Sequence, residues 1–87
     1  NGGYANASLV SNGCEISGAI KNSIIGRSCK IGKDAVIENC IIMPDVEIGD
    51  HAHLKNVIVD KHSKILKKKD LAGLEDNPLY IGRRENV

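Results

Sequence analysis

Three histidines have the most versatile chemistry in this chain, because imidazole transfers protons and binds metals near neutral pH. His51 and His53 alternate along one short segment and are expected to share a strand face, whereas His62 lies at a predicted corner. No pattern of carboxylates accompanies them, and a zinc site needs three protein ligands held by further hydrogen bonds. We predict surface histidines, with no catalytic residue and no metal site. An acyltransferase base and a metal ligand are the alternatives.

The three cysteines, Cys14, Cys29 and Cys40, are odd in number and lack the paired spacing of metal ligands. Each falls where a small inward-facing side chain is expected, so we interpret them as buried thiols that act as small hydrophobes. A disulfide framework is not predicted. Free thiols suit a reducing compartment, and a cytoplasmic location is expected.

Basic residues are concentrated towards the C-terminal end of the chain. A solvated end cap is one interpretation, and an anion or phosphate (effector) site is the other. No phosphate-binding loop, nucleophile elbow or dinucleotide fingerprint is present. The candidate anion or effector residues are Arg27, Lys67, Lys68, Lys69, Arg83 and Arg84.

A repeat of 17 residues must position all of these side chains. Lys-Asn-Ser-Ile-Ile at 21–25 recurs as Glu-Asn-Cys-Ile-Ile at 38–42 and as Lys-Asn-Val-Ile-Val at 55–59. A helical-hairpin repeat needs about 34 residues, so this period favours three short strands per turn of a stacked coil. The sequence therefore predicts an all-β, single-stranded parallel β-helix of about four coils, a hexapeptide-repeat solenoid.

The inward positions follow steps of 6, 6 and 5 residues within each repeat. Side chains alternate along a strand, so the residue two before each apolar anchor also points inward. All of these second positions hold small side chains, as a narrow triangular core requires; examples are Cys29, Val46, Ala35, Ala52, Ser23 and Val57.

Composition agrees with a narrow core. The chain has 87 residues, which predicts one domain, and it contains no Trp or Phe. A chain of this size is marginal alone, so we expect a piece of a larger protein or a member of an oligomer. The net charge of +1 argues against nucleic acid as a partner, and no apolar run is long enough for a transmembrane helix.

The organisation along the chain has three parts. Residues 1–6 are polar and glycine-rich and are interpreted as a linker or vector remnant. Residues 7–71 form the predicted β-helix, which ends where Lys69 takes an inward slot. Residues 72–87 are a predicted loop, with a capping strand at 79–82 and a polar tail.

Four apolar residues, Leu9, Ile24, Ile41 and Ile58, each precede an inward anchor and should therefore point outward in one ridge. A contiguous apolar patch usually marks an interface, and we predict one with another domain or a second copy. A ridge covered by the chain's own tail is the alternative.

A column of asparagines, Asn22, Asn39 and Asn56, runs beside this ridge. Stacked Asn side chains can hydrogen-bond along a β-stack, so we predict a structural ladder, with a polar contact to a partner as the alternative.

Two segments of the repeat are specific: Gly-Cys-Glu-Ile-Ser-Gly at 13–18 and Met-Pro-Asp-Val-Glu-Ile-Gly at 43–49. They resemble the C-terminal domain of bacterial glucose-1-phosphate adenylyltransferase (ADP-glucose pyrophosphorylase). The tail at 73–82 is similar to the D-type, or regulatory, subunit variant of Gram-positive bacteria. The likeness covers roughly residues 7–81.

This resemblance implies a non-catalytic, left-handed β-helix that packs on its own catalytic domain. It also implies that the β-helix joins subunits into a homo- or hetero-tetramer and takes part in allosteric control. It implies a nucleotidyltransferase that uses ATP, glucose-1-phosphate and Mg²⁺ to make ADP-glucose and pyrophosphate for glycogen synthesis. The catalytic domain would lie upstream, so no cofactor is expected in this fragment. A hexapeptide-repeat acyltransferase with a trimeric active site is the alternative function.

Overall fold

The structure is a computed structural model that describes residues 4–6 and 8–87. The described residues form short parallel strands joined by tight corners. In chain order these are β1 (Tyr4–Asn6), β2 (Leu9–Val10), β3 (Glu15–Ile16), β4 (Ala19–Lys21), β5 (Ile24–Ile25), β6 (Lys30–Ile31), β7 (Val36–Glu38), β8 (Ile41–Ile42), β9 (Glu47–Ile48), β10 (His53–Lys55), β11 (Val57–Val59), β12 (Lys64–Ile65), β13 (Asp70–Ala72) and β14 (Leu79–Ile81).

Every third strand belongs to the same sheet, so the chain winds round a three-sided prism. The strand orders are β1-β4-β7-β10-β13, β14-β11-β8-β5-β2 and β12-β9-β6-β3. Successive turns pair in register, as Ile20 does with Ile37 and Ile37 with Leu54. The predicted all-β parallel solenoid of about four turns is confirmed.

The core is a stack of aliphatic side chains, most of them β-branched, and of small side chains. Ile20, Ile37 and Leu54 fill one column and are at most 1% exposed. The small inward positions between the anchors are buried as predicted, except that Cys14 is only half-buried. Ser23 and Ser63 are the two polar side chains among the buried described residues. Isoleucine suits these columns because its branched side chain packs well on a pleated surface.

The asparagine column occupies a corner of the prism. Asn22, Asn39 and Asn56 all have positive φ, between 50° and 55°. Asn adopts this left-handed conformation more readily than most residues, which explains its recurrence. Among the described residues no hydrogen bond joins these side chains to one another, so the predicted ladder is wrong. A cross-turn bond does run from Asn56 Nδ2 to the carbonyl of Gly73, at 3.3 Å.

The corner at Gly32 requires glycine because two turns approach closely there. A Cβ on Gly32 would lie 2.5 Å from the backbone nitrogen of Asp50. The φ of Gly32 is not positive, so space rather than backbone conformation excludes other residues at this corner.

The N-terminal segment differs from the predicted linker. Tyr4–Asn6 form β1, which pairs in parallel with Ala19–Lys21. Backbone groups make this pairing, so it needs none of the Ile periodicity that identified the other strands. Residues 1–3 and 7 lie outside the described part of the chain.

The C-terminal segment continues the solenoid beyond residue 71. Leu71 pairs in register with Leu54, and Ile81 with Val59, so β13 and β14 add strands to two sheets. β14 lies where the sequence predicts a capping strand. The segment expected to be a polar tail also packs against the stack, since the backbone nitrogen of Val87 donates to the carbonyl of Lys64 at 2.8 Å.

Candidate functional site

The three sides of the prism carry different outward side chains. On the sheet of β2, β5, β8, β11 and β14 the outward residues form an apolar column, which we call the apolar face: Leu9, Ile24, Ile41, Ile58 and Tyr80. They pair in register from turn to turn. Leu9 is 70% exposed, Ile24 49% and Ile41 42%, whereas Ile58 is half-buried, so the described chain leaves most of this column uncovered. The side chains of the ridge therefore point outward, as predicted.

Tyr80, which lies outside the predicted ridge, extends the apolar face by one strand. Its hydroxyl donates a hydrogen bond to Oδ2 of Asp60 at 2.5 Å. This bond lowers the pKa of Asp60, because it stabilises the carboxylate, and raises the pKa of Tyr80. A pairing of residue 80 with residue 58 breaks the 17-residue period, so the repeat could not reveal it.

A shallow groove of about 270 Å³ runs along one edge of the apolar face. Leu74 lies in the short loop that also supplies Pro78 to this groove, and it is 65% exposed. The groove is lined by Asn39, Ile41, Asn56, Ile58, Glu75 and Pro78. The apolar face and this groove together give a continuous surface suited to packing rather than to catalysis.

The other two sides of the prism carry alternating charges. The sheet of β3, β6, β9 and β12 presents the four-charge ladder Glu15, Lys30, Glu47 and Lys64, paired in register. The sheet containing β4, β7 and β10 presents the three-charge ladder Lys21, Glu38 and Lys55. Opposite charges on neighbouring strands avoid the repulsion that in-register like charges would cause.

Each histidine lies one turn from an aspartate, contrary to the expectation that no carboxylates accompany them. The Nδ1–Oδ distances are 3.9 Å for His51–Asp34, 3.7 Å for His53–Asp70 and 3.7 Å for His62–Asp45. Each partner is 17 residues away in the sequence, so the repeat itself contains this signal. The six side chains are between 45% and 87% exposed, and pairs this accessible to water contribute little stability.

The histidines do not converge on one site. His51 lies in a corner with φ of 62°, and only His53 is in β10, so the predicted common strand face is wrong. Within the part of the chain that the structure describes, no group of three or more His, Cys, Asp and Glu side chains could hold a metal ion.

The thiols of Cys29 and Cys40 lie in the core, and Cys14 is half-buried. Burial raises the pKa of both Cys29 and Cys40, because the interior disfavours the thiolate. The Cys14 thiol donates to the carbonyl of Gly26 at 3.1 Å, and the Cys29 thiol to that of Met43 at 3.2 Å. These hydrogen bonds, and the burial of Cys29 and Cys40, indicate a packing role for the thiols.

The candidate anion residues are spread over several corners. Arg27 follows β5, whereas Arg83 and Arg84 follow β14 at the other end of the same sheet. Lys69 Nζ donates to the carbonyl of Asp50 at 2.9 Å, which ties it to the preceding turn. The effector role of these residues stays a prediction.

Residues 1–76 match the family model described as GlmU-like, C-terminal hexapeptide. The chain belongs to this family. Its repeat and its solenoid are those of a hexapeptide domain, homologous to the C-terminal region of glucose-1-phosphate adenylyltransferases.

Curated relatives carry that enzyme name. The chain is 44% identical over 64 residues to glucose-1-phosphate adenylyltransferase of Deinococcus deserti, covering 72% of this chain and 16% of the relative. It is 44% identical over 64 residues to that of Dechloromonas aromatica, covering 72% and 14%. It is 40% identical over 65 residues to that of Corynebacterium jeikeium, covering 74% and 16%.

The chain thus spans less than a fifth of the length of these relatives. No solved structure matches it significantly. In residues 4–6 and 8–87 there is no helix with the length and apolar character needed to cross a bilayer.

Proposed function

We propose that this chain is a non-catalytic oligomerisation and regulatory domain of a cytoplasmic glucose-1-phosphate adenylyltransferase. The complete protein would make ADP-glucose and pyrophosphate from ATP and glucose-1-phosphate. The apolar face carries this proposal. Five in-register side chains form a surface that the described chain leaves largely uncovered, with only Ile58 half-buried, and patches of this kind mark interfaces.

The occupant of the apolar face in this proposal is the upstream domain of the same protein. The relatives carry more than four fifths of their length outside the matched region, so a large partner is available in the same chain. The two charged sides of the prism would stay in water or meet polar surfaces. Covering Leu9, Ile24 and Ile41 would remove from water the apolar area that the isolated chain leaves exposed.

Mg²⁺ and the nucleotide would bind to that upstream domain. The described residues offer no set of acidic ligands for Mg²⁺, so no step of the reaction is assigned to them. The contribution of this domain would be to position the catalytic domain, to join subunits into a tetramer and to transmit effector binding. The basic residues at the corners, including Arg27 and Arg84, are the proposed contacts for an anionic effector.

The test is pyrophosphate release from ATP and glucose-1-phosphate by the complete natural protein, alone and mixed with a catalytic partner subunit. Activity of the protein alone would identify a catalytic subunit. No activity alone, with a changed rate or effector response of the partner, would identify a regulatory subunit. No effect in either setting would refute the proposal and favour an acyltransferase.

A further inference from the structure

The four-charge ladder has a symmetry that the three-charge ladder lacks. Its charges run negative, positive, negative, positive along the axis of the solenoid, at the spacing of about 4.8 Å between hydrogen-bonded strands. None of its four side chains makes a hydrogen bond or an ion pair within 4.0 Å with another described residue. Their charged groups are therefore available to a partner.

When this ladder is read in the reverse direction, every position carries the charge opposite to the one found there in the forward direction. If a second copy faces the first in the antiparallel direction, Glu15 lies opposite Lys64 and Lys30 lies opposite Glu47. A two-fold axis repeats both contacts, which gives four pairs of opposite charge. The same antiparallel arrangement of the three-charge ladder would bring like charges together. Glu38 would face Glu38 of the second copy, and Lys21 would face Lys55.

We propose that the sheet face of β3, β6, β9 and β12 binds the same face of a second copy of this chain about a two-fold axis between Lys30 and Glu47. This inference deepens the oligomerisation part of the proposed function and rests on it. Two-fold interfaces require a self-complementary surface, and complementary charge fixes the register of the two copies. The apolar face, on a different side of the prism, would stay free for the upstream domain.

Charge-reversed variants test this pairing. In a dimer of Lys30→Glu, the new glutamate of each copy faces Glu47 of the other copy. In a dimer of Glu47→Lys, the new lysine of each copy faces Lys30 of the other copy. Each variant therefore has two contacts between like charges and should repel its own copy. Mixing the two variants restores all four opposite pairs between unlike copies. By sedimentation equilibrium in about 0.1 M salt, each variant alone should dimerise at least about tenfold more weakly than the unsubstituted chain. The mixture should regain the original affinity within about threefold.

Matched controls carry the same charge changes on the three-charge ladder. Lys55→Glu, Glu38→Lys and their mixture should dimerise as the unsubstituted chain does, which removes net charge as an explanation. Circular dichroism checks that every variant keeps its strands. Because the contacts are exposed charges, dimerisation of the unsubstituted chain should also weaken strongly in about 1 M salt.

Three results would overturn the pairing. The first is a chain that stays monomeric in low salt, and the second is a dimerisation affinity that does not change with salt concentration. The third is a mixture of Lys30→Glu with Glu47→Lys that associates no more tightly than either variant alone. None of them depends on pyrophosphate release, so failure of this interface is distinguishable from failure of the proposed enzyme function.

Discussion

Tyr80 and Asp60 are joined across the last turn of the solenoid by a hydrogen bond of 2.5 Å from the phenol to the carboxylate. Both side chains lie on the solvent side of the prism, at the C-terminal end of the apolar face. Tyr80 pairs in register with Ile58, which precedes it in the column, and the bond restrains the position of its hydroxyl. An oriented tyrosine at the end of an apolar column is a typical anchor for a protein interface.

The Tyr80–Asp60 bond predicts a pH dependence of folding stability. The pKa of Asp60 is lowered from 3.8, so its stabilisation is present above pH 3.8 and is lost as the pH falls through the lowered value. The pKa of Tyr80 is raised from 10.0, so its stabilisation is present below pH 10.0 and is lost as the pH rises through the raised value. In Tyr80→Phe, the free energy of unfolding measured with urea should therefore depend less on pH, both in the acidic range below pH 3.8 and in the alkaline range above pH 10.0. An unchanged profile in Tyr80→Phe would show that the bond is absent in solution.

Ile41 and Ile42 are neighbours with opposite roles. Ile41 is 42% exposed on the apolar face, whereas Ile42 is 1% exposed in the core. Ile42→Asp should unfold the chain, because a buried unpaired carboxylate is very unfavourable. Ile41→Asp should change the free energy of unfolding by no more than about 1 kcal/mol.

The same Ile41→Asp change, made in the complete protein, should weaken packing between domains. Limited proteolysis of the connection between the two domains measures this. Val36→Asp, on another side of the prism, is the matched control because Val36 is 38% exposed. Equal protease resistance of both variants would argue against the apolar face as the docking surface.

Asn39 occupies a corner with φ of 52°. Asn39→Ala should lower the free energy of unfolding by about 1–2 kcal/mol, because an alanine Cβ is crowded in the left-handed conformation. Asn39→Gly should cost less, since glycine adopts positive φ freely. Chemical denaturation of both variants measures the difference. Equal losses would mean that the amide side chain, rather than the backbone, matters at this corner.

Ser63 holds the C-terminal tail on the core. Its buried Oγ donates to the carbonyl of Gly82 at 2.6 Å and accepts from the backbone nitrogen of Glu85 at 3.3 Å. Ser63→Ala should reduce stability by about 1–3 kcal/mol, because the groups of the tail would lose a buried partner. Hydrogen exchange should accelerate at Glu85 and at Val87. Exposed Ser11→Ala is the control, and similar exchange in both variants would contradict the role of Ser63.

The three thiols should react at different rates. Burial raises the pKa of Cys29 and Cys40 and blocks access to reagents, whereas Cys14 is half-buried at the first turn. Under native conditions at mildly alkaline pH, one equivalent of a thiol reagent should be consumed first, and peptide mapping should place it on Cys14. Preferential labelling of Cys40 would show that the core opens more readily than its packing indicates.

The 17-residue period determined most of the fold, because stacked turns place equivalent residues above one another. Ile20, Ile37 and Leu54 had to share a column once the period was recognised, and alternation then assigned Ile41 outward and Ile42 inward. The same period also contained the His–Asp pairs, such as His62 with Asp45, which a search for carboxylates at 17 residues would have found.

Only the tertiary structure decided the ends of the solenoid and the conformation of its corners. Tyr4–Asn6 pair through backbone groups and need no apolar pattern. Tyr80 binds Asp60, 20 residues away in the sequence, and Gly82 binds Ser63, 19 residues away. Neither separation is the 17-residue period, so the repeat does not encode these contacts. The positive φ of Asn39 follows from the chain having to turn between two sheets. The sequence specified which side chains stack, and three-dimensional packing decided which backbone segments could join that stack.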